Sequence, residues 1–311
     1  MTAGMRPAAE QGRSATETVD IAAGQAGAPA GERPRKGLLA FARRHPTVAL
    51  GLTLIAVIAL VSALAPHLGT VDPIRFSPAQ RLRPPSDRFW FGTDSFGRDV
   101  YSRTIYGGRI SLVIGFSVAL VATTVGLAIG LVAGYLRTAD AILMRLMDGL
   151  MAIPSILLAI AIIAITRASV RGVLLAIAIP EIPRVVRLVR GIVLTLREQP
   201  YVEATRGLGS GLLRILFRHL LPNTLAPLTV QATYICAVAI LIEAALGFLG
   251  AGTPPEIPSW GNIMAEGRTN FQVGPWMILF PGTFLALVVL AVNLVGDGLR
   301  DLLDPRFARR L

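Results

Sequence analysis

The side chains that most often carry enzyme or metal chemistry are few in this sequence and far apart. It has three histidines, His45, His67 and His219, and a single cysteine, Cys236. One cysteine allows neither an internal disulfide nor a cysteine-based metal site, and an apolar neighbourhood favours a packed role for it. The only lysine, Lys36, stands in RPRKGLL, which is not a phosphate-binding loop. With no nucleophile–base set and no His/Asp cluster, the sequence predicts no catalytic residue, no metal and no cofactor on this chain.

The segment EATRGLGSGLLRILFRHLLPN, residues 203–223, is the most informative part of the sequence. An apolar stripe recurs in it at helical spacing: Leu208, Leu212, Ile215 and Leu216. This predicts one helix that ends before Pro222, because proline cannot continue the hydrogen-bond ladder. Glu203 near its start, and Arg214 and Arg218 near its end, suit the helix dipole. Such a helix either lies on a membrane surface or inserts into a groove of a soluble partner, and its residues leave both possibilities open.

The composition indicates that a membrane protein positions this segment. The chain has 311 residues, of which 53% are hydrophobic and 16% charged, whereas a soluble domain carries about 25% charged residues. The apolar residues form long blocks, as in a chain that crosses a membrane several times. The net charge is +11, and nearly all of the positive charge comes from arginine. We attribute it to cytoplasmic loops and anionic lipid rather than to nucleic acid.

Six apolar blocks predict an all-α integral membrane protein with six transmembrane helices. They cover residues 48–65, 110–136, a third stretch ending near 165, 173–196, 225–249 and 276–295. The first block follows a basic flank, which is also typical of a signal peptide, and Ala63-Leu64-Ala65 resembles a cleavage site. We favour a retained span, because Pro66 would follow the cut directly and the charged region lies far from the N-terminus.

These blocks divide the chain into five parts. Residues 1–36 are predicted to be a disordered cytoplasmic tail, 37–66 the first transmembrane helix, 67–108 an extracytoplasmic loop, 109–300 a domain of five transmembrane helices, and 301–311 a second cytoplasmic tail. An even number of spans puts both termini on one side, and their arginines indicate the cytoplasm. The 67–108 loop departs from this rule, because it is rich in arginine yet is expected outside.

Local features predict how the helices pack. A spacing of four puts Gly126, Gly130 and Gly134 on one face of the second helix, which permits another helix to approach closely. The charges between residues 137 and 148 are expected in water, and Pro154 is expected to bend the helix that follows. The fourth block contains prolines and arginines, so only its first part is expected to face lipid.

At the 203–223 segment the sequence resembles the EAA loop of ABC-importer permeases, whose pattern is Glu-Ala-Ala, a glycine shortly after, then Leu-Pro. Thr205 replaces the second alanine, and His219 stands where the general pattern has isoleucine. In that family the loop forms the coupling helix that docks on the ATPase subunits. The resemblance therefore implies a type I ABC-importer permease fold with a cytoplasmic coupling helix. The residues expected to dock are Glu203, Ala204, Gly209, Arg214, Arg218, His219 and Pro222.

Three further stretches narrow the resemblance. FGTDSFGRDVYSRTIYGGRISL (91–112), EAALGFLGAGTPPEIPSWGNIM (243–264) and DGLRDLLDPR (297–306) are similar to the C-type permease subunit of dipeptide and oligopeptide importers. The resemblance covers residues 38–306. It implies a bacterial inner-membrane protein that works with a second permease subunit, two ATP-binding subunits that hold ATP and Mg²⁺, and an extracytoplasmic substrate-binding protein.

Other functions remain open from the sequence. Permeases of this branch also carry nickel chelates or glutathione. An ion-coupled secondary transporter is the rival class, but it would need ionisable groups at mid-membrane, and the apolar blocks are nearly free of them. The absence of a catalytic set argues against a membrane-bound enzyme.

A few single residues have two interpretations each. Asp94, Gly97, Arg98 and Asp99 form the extracytoplasmic motif of the 91–112 stretch, and they predict either a surface for the binding protein or an ion-paired loop. Glu243 is a candidate for the solute path or its gate, since carboxylates inside a membrane are usually functional; we favour a role in bracing the loop that follows. Trp260, in that loop, predicts an interfacial anchor or a contact for the binding protein.

Overall fold

The computed structural model describes residues 42–43, 45–166 and 168–303. In the described residues from His45 on there is no assigned strand, and one isolated antiparallel bridge joins Thr93 and Asp99. The helices are α1 (Pro46–Ala63), α2 (Val100–Tyr135), α3 (Arg137–Met151), α4 (Ser155–Thr166), α5 (Val170–Arg197), α6 (Pro200–Gly207), α7 (Leu212–Ile215), α8 (Leu221–Phe248), α9 (Trp260–Thr269) and α10 (Trp276–Leu303). Short 3₁₀ turns cover Ala65–His67 and Pro78–Gln80, and a π turn, Leu216–Leu220, joins α7 to α8.

Four of the described helices are long and apolar enough to cross a membrane: α1, α2, the continuous run Leu212–Phe248, and α10. Helices α3 and α4 meet at 90° and give a fifth span if the pair counts as one. The break between them includes Pro154, where the sequence predicts a bend. The described residues thus contain four or five such spans instead of the predicted six. The difference is α5, which carries several charges from Glu181 onwards: Glu181, Arg184, Arg187, Arg190 and Arg197.

The residues predicted as a charged connection form the amphipathic helix α3, which pairs with α5. Arg190 binds Asp140 through two hydrogen bonds, Nε to Oδ1 at 2.5 Å and Nη2 to Oδ2 at 2.8 Å. Arg187 Nη2 donates to Asp148 Oδ1 at 2.6 Å. Two charges of α5 are therefore neutralised by α3, which explains how so polar a helix packs beside apolar spans.

Helices α2 and α5 approach each other closely along the predicted glycine face. A Cβ atom added to Gly126, Gly130 or Gly134 would lie 2.5, 2.7 or 2.6 Å from the Cβ of Val185, Val189 or Val193, respectively. All three valines are fully buried. The glycines thus permit the two backbones to pack together, and the prediction of a close approach is confirmed.

Contacts between loops and helix ends define two ends of this unit. At the first, Trp276 Nε1 donates to the Thr93 carbonyl oxygen and Trp260 Nε1 to that of Thr104, both at 3.0 Å. We call this the loop end; it contains residues 64–99 and 249–275. At the opposite end, Arg197 Nη1 donates to the Gly134 carbonyl oxygen at 3.1 Å. We call this the opposite end; it contains residues 136–154 and 198–220.

Several predicted boundaries shift in the structure. Helix α2 begins at Val100, so the last part of the predicted 67–108 loop is helical. The reason is Asp99, whose side chain accepts a hydrogen bond from the Ser102 backbone and caps the helix. Helix α1 lies inside the predicted 37–66 span, and α10 continues to Leu303. The predicted tails, 1–36 and the stretch after 303, lie outside the described residues.

Candidate functional site

The 203–223 segment is not one helix, as the sequence predicts, but two helices joined by a tight turn. Helix α6 starts with Pro200 in its first turn and places Glu203 there as well. It ends in a Schellman motif, in which Gly209 N–H donates to the Arg206 carbonyl oxygen and Ser210 N–H to that of Thr205. Gly209 has φ +76°, a conformation in which any side chain is strained. This glycine therefore ends α6 and turns the chain towards α7.

The predicted helix end before Pro222 is also wrong, because the helix continues through this proline. The π turn Leu216–Leu220 precedes it, and the Leu221 N–H donates to the Leu216 carbonyl oxygen. A π turn shifts the hydrogen-bond register by one residue. Pro222 then falls in the first turn of α8, where a missing N–H costs little. Arg214 accordingly lies in the first turn of a continuous helical run and Arg218 lies inside that run, so neither is at the C-terminal end of a helix.

The apolar stripe predicted from the spacing is divided between the protein interior and the surface. Ile215 and Leu216 are buried, together with Val202 and Leu220, and they anchor the segment on the helices. Leu208 is 86% exposed, however, and Leu213 and Phe217 are 67% and 61% exposed. The break at Gly209 separates Leu208 from the other residues of the stripe, while Leu213 and Phe217 lie on the outer face of the helical run that buries Ile215 and Leu216. We call the segment from Pro200 to Leu220 the docking segment.

Exposed charges surround these apolar side chains of the docking segment. Several residues of the segment or next to it are exposed: Glu203, Ala204, Arg206, Arg214, Arg218 and Pro222. His219 is half-buried, and the centre of its ring lies 6.1 Å from that of Tyr201. A cleft of about 730 Å³ adjoins α6 and is lined in part by Arg137, Arg197 and Glu203. Leaving a large apolar side chain in water costs about 1.5–3 kcal/mol relative to burial. The segment therefore has the chemistry of a surface that a partner covers.

At the loop end, Asp94 and Arg98 of the predicted motif form a buried network of four charges with Arg103 and Glu266. Asp94 Oδ2 accepts hydrogen bonds from Arg98 Nε at 2.6 Å and from Arg103 Nη1 at 3.0 Å. Arg103 Nη2 donates to Glu266 Oε1 at 3.0 Å, and Arg98 Nη2 donates to Glu266 Oε2. Asp94, Arg98 and Arg103 are at most 5% exposed and Glu266 is 17% exposed. We call these four residues the charge cluster; it agrees with the ion-paired alternative for Asp94 and Arg98.

Backbone groups around the charge cluster hold it in place. Asp94 Oδ1 accepts from the Phe96 and Arg98 backbone N–H groups at 2.8 and 2.9 Å. Gly97, with φ +75°, turns the chain here, and a Cβ atom on it would lie 1.9 Å from the Ser77 carbonyl oxygen. Asp99 lies outside the cluster and accepts from Ser102, as the cap of α2. The motif thus positions the start of α2 against α9.

The charge cluster also links stability to pH. Burial raises the pKa of Glu266 from an ordinary value near 4.5 to about 7, although Arg98 opposes the shift. The folded state then keeps a proton that the unfolded state releases, so stability should fall as pH rises from about 4.5 to about 7. We expect the purified chain to unfold at a lower temperature at pH 7.5 than at pH 5, and Glu266→Gln to reduce this difference. An unchanged difference in Glu266→Gln would contradict the assignment to this carboxyl.

Glu243 is fully buried in α8 near the loop end. Ser111 Oγ donates to its Oε2 at 2.8 Å, and the Ser259 hydroxyl, which caps α9, lies close by. Its Oε1 makes no well-directed hydrogen bond within the described residues. These neighbours suit the bracing role, while a role in the path or its gate stays a prediction. Trp260 is completely buried, so the prediction of an interfacial anchor or binding-protein contact is wrong.

Sequence reasoning does not single out Glu266, the residue that completes the charge cluster. The spacing of Asp94, Arg98 and Arg103 suggests local pairing, but Arg103 and Glu266 are 163 positions apart. Asp99 is the nearer acid in the sequence, and only the structure shows that it caps α2 and leaves Arg103 to pair with Glu266. Among the described residues no group of three or more His, Cys, Asp or Glu side chains is placed to hold a metal ion.

Apolar helices long enough to span a membrane, with an exposed charged and apolar segment at one end, describe a multi-pass membrane protein. Residues 126–309 match the family of binding-protein-dependent transport system inner membrane components, and the chain belongs to this family. Like the proteins of this family, it is a multi-pass membrane protein and a transport subunit rather than an enzyme.

Curated relatives match most of the chain. A probable peptide ABC transporter permease of Sinorhizobium fredii is 52% identical over 270 residues, covering 87% of this chain and 92% of the relative. A dipeptide transport system permease of Alkalihalophilus pseudofirmus is 45% identical and covers 85% and 87%. A glutathione transport system permease of Pectobacterium atrosepticum is 42% identical and covers 86% and 89%.

Among solved structures, an inward-facing form of the MetNI methionine ABC transporter matches with a TM-score of 0.52 and 22% identity. The match covers 64% of this chain and 95% of the other. At this identity the likeness shows the fold alone. The predicted fold class, an all-α membrane protein of the ABC-importer permease type, is confirmed.

Proposed function

We propose that this chain is a permease subunit of an ATP-driven importer of dipeptides or oligopeptides. It forms half of the solute path with a second permease subunit, docks on two ATP-binding subunits in the cytoplasm, and receives solute from an extracytoplasmic binding protein. ATP and Mg²⁺ bind to the partner subunits. The opposite end and both termini then face the cytoplasm, and the loop end faces outwards. The names of the relatives support the peptide class, and glutathione, carried by one relative, is itself a peptide.

The docking segment is the observation that supports this proposal most directly. It combines three exposed apolar side chains, Leu208, Leu213 and Phe217, with exposed charges of both signs. A helix lying flat on a membrane would present its apolar residues on one face. The turn at Gly209 prevents this arrangement and suits insertion into a groove of a soluble partner.

The connection of the docking segment to the helices suggests how movement is transmitted. The segment follows α5 directly and continues without a break into the run that contains α8. Its anchors, such as Ile215 and Leu220, belong to the buried core. When ATP closes the ATPase subunits, the segment moves with them as a rigid body, and α5 and α8 tilt between inward-open and outward-open states.

Replacing Gly209 with valine tests the coupling role. The side chain at φ +76° costs at least about 1–2 kcal/mol, so the turn should distort and move Leu208 out of the groove. One to two kcal/mol is a factor of about 5–30 in an equilibrium constant, and we expect co-purified ATPase and ATP-dependent peptide uptake to fall by at least that factor. Glu203→Lys, which reverses an exposed charge of the segment, should act in the same direction. Both are measured with the complex purified through a tag on this chain and reconstituted in proteoliposomes.

Matched controls separate docking from folding. Gly69→Val introduces the same backbone strain, at φ +68°, at an exposed position of the loop end. Glu256→Lys reverses an exposed charge that also lies at the loop end. Both should keep the ATPase and the uptake. If Gly209→Val and Glu203→Lys transport at the rate of these controls, the docking role is wrong. Uptake by this chain alone, driven by an ion gradient, would instead support the secondary transporter.

A further inference from the structure

An exposed arginine lies half-way along a helix that packs between apolar spans. Arg184 is in the middle of α5, and 44% of its side chain is exposed. Its Nη1 donates to Glu181 Oε2 at 2.8 Å, and Glu181 is only 3% exposed. The next residue, Val185, packs on Gly126 of α2. Arg184 is therefore level with the membrane-spanning part of α2 and not with either end of the helices.

An arginine at this depth does not face lipid without a large cost, so such groups face protein or a water-filled cavity. The buried Glu181 carboxylate neutralises the charge of Arg184, but it occupies one of the five guanidinium N–H donors. Arg187, one turn further along α5, differs because it pairs with Asp148 of α3. Arg184 points instead to α8, where no acidic group meets it in the described residues.

The neighbours of Arg184 on α8 provide the rest of a binding site. The guanidinium carbon lies 5.5 Å from the centre of the Tyr234 ring, and Tyr234 is 49% exposed. One turn along α8, Gln231 has a buried Nε2 without a hydrogen-bond partner in the described residues. Gln231 lines a cleft of about 430 Å³ that runs between α5, α8 and α10 towards the opposite end, and Leu188 and Arg300 also line it.

Arg184 and Tyr234 meet on this face, and Gln231 lies one turn from Tyr234 with its Nε2 buried. All three groups offer hydrogen-bond donors. Arg184 has free guanidinium N–H groups in a planar fork that matches a carboxylate, Gln231 has an unused amide N–H, and Tyr234 has an aromatic face and a hydroxyl. A peptide has the complementary acceptors, which are its terminal carboxylate and its backbone carbonyl groups. Glu181 balances the charge of Arg184, so the site binds a zwitterion without trapping it strongly.

We propose that Arg184, Gln231 and Tyr234 form a solute-contact site in the translocation path, where Arg184 binds the carboxylate of a passing peptide. This inference rests on the proposed function, because it takes the solute to be a peptide. It assigns the exposed face of α5 and α8 to the path. It also explains why α5 carries a charge pair that α3 does not neutralise.

Cysteine accessibility tests whether this face contacts water. In a Cys236→Ala background, Arg184→Cys and Gln231→Cys in the complete reconstituted complex should react with a charged, membrane-impermeant methanethiosulfonate reagent. A saturating mixture of dipeptides with the binding protein should slow the reaction. The matched control is Leu60→Cys, on the apolar span α1 at a position that is 59% exposed; it should not react. No reaction at Arg184→Cys, or a reaction there that the dipeptides do not slow, would overturn the proposal.

Uptake of the dipeptide mixture tests the role of the guanidinium. Arg184→Gln should lower uptake at sub-saturating peptide by roughly 10- to 100-fold, as expected for a lost hydrogen bond to a charged group, and Arg184→Lys should recover part of the loss. Arg187→Gln removes an arginine that pairs with α3 and should stay near wild type. Equal uptake by Arg184→Gln and Arg187→Gln would overturn the proposal.

Two further outcomes separate this proposal from its rivals. The face is a subunit interface, and the proposal is wrong, if two results occur together. The second permease subunit does not co-purify with the Arg184→Gln variant, and Arg184→Cys does not react in the assembled complex. If the wild-type complex takes up no peptide at all, the proposed function fails, and the peptide class fails with it. The proposed function and the solute-contact site are both supported if three results are obtained. The wild-type complex takes up peptide, Arg184→Cys reacts with the reagent, and uptake falls in Arg184→Gln but not in Arg187→Gln.

Discussion

Replacing Arg103 with methionine is expected to destabilise the chain strongly. Arg103 is 1% exposed and binds both Asp94 and Glu266. Without it, and above about pH 7, where Glu266 is ionised, two carboxylates share Arg98 alone, and one negative charge is left without compensation. Removing one partner of a buried ion pair typically costs about 3–5 kcal/mol. We expect a large drop in the temperature at which the detergent-purified chain loses its monodisperse peak after heating.

Two comparisons show whether charge balance is the cause. Arg75→Met makes the same substitution at an exposed position of the loop that precedes α2 and should have little effect. Arg103→Met combined with Glu266→Gln leaves one arginine and one carboxylate and should recover much of the lost stability. If the double variant is no more stable than Arg103→Met, the lost packing of the long side chain is responsible, and the electrostatic explanation is wrong.

Adding one methyl group at Gly130 is the second change with a large expected effect. The new Cβ would lie 2.7 Å from Val189 Cβ, and neither atom is the end of a flexible chain. Gly130→Ala must therefore separate α2 from α5, with a cost of about 1–3 kcal/mol for an overpacked core. Gly130→Leu requires a larger separation, and we expect little folded protein to be recovered from the membrane. Both are measured by the yield of monodisperse protein and its stability to heating.

The partner helix supplies a control for the change at Gly130. Gly191 lies on α5, and an added Cβ there has no atom within 4 Å. Gly191→Ala should be neutral or slightly stabilising, since alanine favours a helix by about 1 kcal/mol over glycine. Val189→Gly should partly rescue Gly130→Ala, because it removes the opposing Cβ. Equal stability of Gly130→Ala and Gly191→Ala would show that the close approach does not limit packing.

The sequence by itself determined the class of protein and much of its local structure. Long apolar blocks with few charges exclude a soluble fold, because such surfaces are stable only when buried in protein or lipid. The spacing of Gly126, Gly130 and Gly134 indicated a close helix contact, since positions four apart share one helical face. Pro154 indicated a bend, and the EATRGLG…LLP pattern indicated the family. All these signals are local, within a few turns of one segment.

Tertiary structure alone decided which side chains meet. Pro222 lies in a continuous helical run just after a π turn, which a local proline signal does not reveal. Gly209 divides the docking segment through a backbone conformation that the spacing of apolar residues does not reveal. Glu266 joins Arg98 and Arg103 across more than half of the chain, and Arg184 meets Tyr234 on a neighbouring helix. Charge pairing acts through space, so which carboxylate neutralises which arginine follows from helix packing and not from the order of residues.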